Sequence, residues 1–156
     1  SHLKQLSDTK RANCLRALTD PPPVMQTLVN DSGRDIKDLN NPEFCAAHLA
    51  TLCDAAIREF ERKDEFARFV NYVNLPDLMW ESILPNHFNV EDLDIENMKA
   101  AATLYSKGRG DMANKEWKDD SQHKQDRANH DIRSAAQSFL QAKFETMEQL
   151  SLENTQ

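Results

Sequence analysis

The sequence spends only three glycines on 156 residues: Gly33, Gly108 and Gly110. A loop that cradles phosphate needs several glycines in one short stretch, because backbone N–H groups must close on the anion. None is present, which argues against a nucleotide-phosphate loop within the chain. Long apolar runs are also missing. Nothing approaches the roughly 18 to 20 residues of a bilayer span, and the first residues lack the charged, apolar and small-residue order of a secretory signal. An intracellular, soluble chain without membrane insertion is expected. Positive charge is in deficit, with Lys+Arg 19 against Asp+Glu 26 and a net charge of −7. Without a basic cluster, so acidic a surface repels nucleic acid. Cysteine is scarce and odd in number. Cys14, Cys45 and Cys53 have no metal-site spacing, so buried free thiols in a reducing compartment are expected.

What is present is a polar but patterned chain. Hydrophobic residues make up 39% and charged residues 29%, with a mean hydropathy of −0.73. The apolar residues fall in periodic clusters, which separates this composition from a disordered one. The length suits a single helical domain over 1–156, or the C-terminal part of a larger one.

The spacing of Leu3, Leu6, Cys14, Leu15 and Leu18 suggests a first helix, ended by Pro21-Pro22-Pro23. A short helix over 24–29 and a turn at Asp31-Ser32-Gly33 come next. The strongest helix is expected over 42–60. Asn41 suits the N-cap, Pro42 the first helical position, and Glu43 the positive end of the dipole. Phe44, Cys45, His48, Leu49, Leu52, Cys53, Ala56, Ile57 and Phe60 form one apolar stripe, expected against a core. Arg68 to Val73 alternates aromatic and β-branched residues, as in a short strand. A lone strand leaves its backbone groups unpaired, so its sheet must lie elsewhere. Beyond it, a helix begins near Leu75-Pro76-Asp77 with Leu78, Met79 and Ile83 inward, limited by Pro85. Another spans 94–105, burying Ile95, Met98, Ala101, Ala102 and Tyr105. Residues 106–128 read as a long polar loop, and a last helix covers 129–150. The fold class is therefore mainly α, with one short strand.

Few constellations carry chemistry. His2, His48, His87, His123 and His130 form no ligand set, and His48, on an apolar face, fits a hydrogen-bonded core histidine. The carboxylates of Glu91, Asp92, Asp94 and Glu96 crowd a helix start, where the dipole accounts for them. Arg109-Gly110-Asp111 spells an adhesion tripeptide in a chain without a secretion signal. Trp80 fits a core position. Trp117 stands among charged residues in the polar loop, where it pins the loop or meets a partner.

The run from Phe69 through Asn71-Tyr72 and Leu75-Pro76 to Trp80, then Ile83-Leu84-Pro85 and His87-Phe88, resembles the C-terminal half of bacterial-type sulfotransferases. Ser106-Lys107-Gly108 is similar to that family's late loop, and Ile132-Arg133-Ser134-Ala135-Ala136 to its last helix. Ser1-His2-Leu3 resembles the end of its Arg-Asp-Pro…Ser segment. The resemblance implies an α/β P-loop fold that transfers a sulfuryl group from 3′-phosphoadenylyl sulfate to an alcohol or amine. It places Ser1, Lys107 and Gly108 on the cofactor's 3′-phosphate. The family's first strand and phosphate loop would precede Ser1, and one Ser with one Lys is not the preorganised donor set a transferring sulfuryl group needs. The expectation is therefore a non-catalytic helical subunit without cofactor, docking on another protein chain through apolar helix faces. The alternative is the C-terminal part of a working sulfotransferase.

Overall fold

The structure, a computed structural model, describes Cys14 and residues 19–62, 68–102 and 121–153. Ser1, Lys107, Gly108 and Trp117 lie outside the described residues, as do the rest of the first expected helix, Tyr105 and most of the expected polar loop. The described part is helical, and no strand occurs in it. The chain divides into two units, one from Ser1–Phe69 with Ser121–Asn154, the other centred on Val70–Asp120.

The described residues of the first unit form five α-helices. Helix α1, Pro23–Asp31, starts with a proline in its first turn, where the missing N–H costs nothing. It ends in a Schellman motif: the Gly33 amide donates to the Asn30 carbonyl at 2.9 Å and the Arg34 amide to the Val29 carbonyl at 3.3 Å. That motif needs a left-handed residue, and Gly33 supplies it at φ 77°. Helix α2, Asn41–Glu61, opens one residue earlier than expected. Asn40, not Asn41, is its cap, in a full capping box with Glu43.

Past the second unit, residues Ser121–Asp126 form a short helix, α3, inside the stretch expected to be loop. Its ends are tied by Gln122, which donates to Asp126 one turn on at 2.8 Å. Helix α4, His130–Phe139, is capped by Asn129, whose side chain accepts from the Ile132 amide. Helix α5, Gln141–Glu153, follows directly. The expected single last helix is thus two, broken at Leu140. The break is a bend, because Leu140 still donates to Ala136 and accepts from Phe144, both at 2.8 Å.

Met25 and Val29 of α1, Phe44, Cys45, Ala46, Ala47 and Ala50 of α2, and Ile132, Ala135 and Phe139 of α4 form one core with Cys14. Four alanines among these let the backbones of α2 and α4 approach closely. Cys14 and Cys45 are joined by a disulfide, with Cα atoms 5.2 Å apart. This corrects the expectation of three free thiols. Only Cys53 is free.

In the second unit, residues 68–73, expected as a strand, are not one. Asn71 is extended, and Tyr72–Asn74 close a 3₁₀ turn in which the Asn71 side chain accepts from the Val73 amide. The reason is physical: a strand needs a neighbour, none is present among the described residues, and asparagine offers the backbone a local bond instead. A π-helix, Met79–His87, then runs through Pro85, which was expected to limit it. Proline has no N–H to give to a four-residue ladder, and the wider pattern bypasses the gap, with Phe88 donating to Ile83 at 3.3 Å. A further helix, Asp92–Ala102, packs against the π-helix. Among the described residues of its expected inward face only Ile95 is buried, while Met98 is exposed. Trp80, expected in the core, is half-buried.

Candidate functional site

Helix α2 carries two faces that differ in what they meet. Ala46, Ala50 and Ile57 lie along one line of the helix and are buried. At 3.6 residues per turn, Leu52 and Ala56 sit about a third of a turn away from that line. Both are exposed, Leu52 at 55%. Leu49, Cys53 and Phe60, on the flanks of the same strip, are only half-buried, and Phe60 leans on Phe69 with ring centroids 5.0 Å apart. Of the apolar stripe expected against the core, Phe44, Cys45 and Ile57 are buried, while Leu52 and Ala56 face outward. Large side chains dominate a hydrophobicity pattern, yet alanines make the close contact here. The run Ala46-Ala47 with Ala50 was the available signal.

The strip offers no nucleophile. Burial pushes the Cys53 thiol above its ordinary range, and the carboxylate of Asp54 adds to the rise against a weaker opposing effect of Lys143. A thiol so placed is poorly ionised at neutral pH. His48 projects from the same helix, half-buried, with its Nδ1 enclosed and paired with no protein atom. This corrects the expectation of a hydrogen-bonded core histidine. Among the described residues no group of three or more His, Cys, Asp or Glu could hold a metal ion, and no helix is long and apolar enough to cross a membrane.

On the opposite side of α2 a groove of ≈ 570 Å³ opens between α1, α2 and the α4–α5 bend. Val24 and Leu28 of α1, with Phe139 and Ala142, supply its apolar lining. Asp54 of α2 and Lys143 of α5 cross it as an ion pair at 2.6 Å. Sequence reasoning missed this groove, since its walls come from segments more than a hundred residues apart in the chain. The entrance of α2 is fixed by Glu43, whose two oxygens take the Asn40 amide at 2.9 Å and the Arg34 guanidinium at 2.7 Å. Arg34 also lies 5.9 Å from the centre of the Phe139 ring.

The four residues singled out from sequence, Ser1, Lys107, Gly108 and Trp117, all fall outside the described residues. No family model matches this chain, and neither does any curated protein or solved structure.

Proposed function

We propose that this chain is a non-catalytic helical module, related to the C-terminal part of sulfotransferases, that docks on another protein through the outer face of α2. One observation supports it above the rest: the part of the apolar stripe carrying Leu49, Leu52, Cys53, Ala56 and Phe60 is exposed or half-buried. Surface helices normally turn such a strip inward, and an exposed one marks an interaction surface. Aromatic anchors in the middle of an interface carry much of its energy, and Phe60 on the same strip is of that type. The motif runs quoted above resemble those of the sulfotransferase family, and that resemblance supports the relation to it. Under the alternative, the same face covers that enzyme's own sheet.

A photo-crosslinking amino acid decides the matter when placed at position 52 and, as a control, at exposed Asn30. Position 52 should give one discrete protein adduct in cells and position 30 none. Equal adducts at both, or none at position 52, would refute docking through this face.

A further inference from the structure

We propose that the groove between α1, α2 and the α4–α5 bend binds a short apolar peptide by its free ends. Its ≈ 570 Å³ falls within the range of small-ligand sites. Val24, exposed at 61%, and half-buried Leu28 give it an apolar wall that no described residue covers. Four charged groups line it. Asp54 and Lys143 neutralise each other at 2.6 Å. Asp31 and Arg58 are both exposed, and neither has a salt bridge or side-chain hydrogen bond. Two opposite charges are thus left unpaired over one apolar surface.

The position of Asp31 sharpens this. It closes α1, a helix with no basic residue in its last turn. A carboxylate at the negative end of a helix dipole is uncompensated, so that end of the groove attracts a cation. Arg58, a fork of fixed donors, attracts a carboxylate. A simple anion gains at Arg58 and is repelled at Asp31, and a simple cation meets the reverse. A molecule with an ammonium, an apolar body and a carboxylate satisfies both charges and covers the wall. This site shares no residue with the outer face of α2, so either stands if the other fails.

The test titrates the tripeptide Leu-Ala-Leu, its N-acetylated form and its C-amidated form into the protein, read by calorimetry. Each cap should weaken binding by about threefold or more. Asp31→Asn should abolish the sensitivity to acetylation alone, and Arg58→Gln the sensitivity to amidation alone. Both positions are exposed, and circular dichroism should confirm that both variants keep the helical signal. Equal affinity of free and capped peptides, cap effects unchanged in the variants, or no saturable binding up to about 10 mM would overturn the proposal.

Discussion

The Arg34 guanidinium donates to Glu43 Oε1 at 2.7 Å and so ties the loop after α1 to the first turn of α2. The same carboxylate accepts from the Asn40 amide, and one side chain thereby holds the cap of the longest helix and its link to α1. The Arg34 bond comes first among the causes that hold the Glu43 carboxyl below its ordinary value, ahead of the Asn40 amide; burial works against them. Because the folded-state pKa is depressed, the stabilisation is fully present above the unfolded value near 4.5 and is lost as pH falls through the folded one. Urea unfolding at stepped pH should show stability falling below about pH 4.5. In Glu43→Gln that acid-sensitive component should shrink. An unchanged pH profile would remove Glu43 from this role.

The two faces of α2 make opposite predictions for one pair of substitutions. Leu52, 55% exposed, should lose about 0.5 kcal/mol or less as Leu52→Ala. Ala50 is fully buried, so Ala50→Leu pushes a larger side chain into a packed core and should cost about 1 to 3 kcal/mol. Chemical denaturation of both variants ranks them. If Leu52→Ala proves the more harmful, the strip faces a core and cannot be a docking surface.

The Cys14–Cys45 bond closes a loop with a sequence separation of 31. Loop closure of that size should contribute about 3 to 4 kcal/mol in the chain-entropy account. The double variant Cys14→Ala/Cys45→Ala should therefore melt well below the parent, while added reductant leaves the variant's midpoint unchanged. Peptide mapping without reductant checks the pairing directly. Recovery of both cysteines as free thiols in an oxidised sample would exclude it.

Much of the helical order was legible because helix ends use local chemistry. The prolines before α1, Gly33 after it, Asn129 before α4 and the Asn-Pro-Glu entry to α2 each act within a few residues. Two kinds of feature escaped. Sidedness escaped on α2, because Leu52 and Phe60 outweigh Ala46 and Ala50 in any hydrophobic pattern although only packing decides which face is covered. Long-range pairing escaped as well: cysteine spacing does not state that Cys14 meets Cys45, and nothing local in 68–73 announces that its backbone turns rather than extends into a strand. The groove belongs to the second kind, since Leu28 and Lys143 meet only through the tertiary fold.

The last prediction concerns the sulfuryl-transfer alternative, and it turns on the donors available for the cofactor's phosphate. Tight binding of adenosine 3′,5′-bisphosphate needs several convergent backbone N–H groups, as at a helix N-terminus, together with charge-assisted contacts. The resemblance assigns only Ser1, Lys107 and Gly108 to that phosphate, and the sequence has no glycine-rich loop to add to them. Contacts of this type contribute roughly 1.5 to 3 kcal/mol each, against an association cost of about 4 kcal/mol or more. This 156-residue chain should therefore bind the bisphosphate no better than about millimolar. Titration calorimetry measures it directly. Micromolar affinity that disappears in Lys107→Ala would replace the docking module with a phosphate-binding enzyme, because a single loop lysine has that effect only inside a formed anion site.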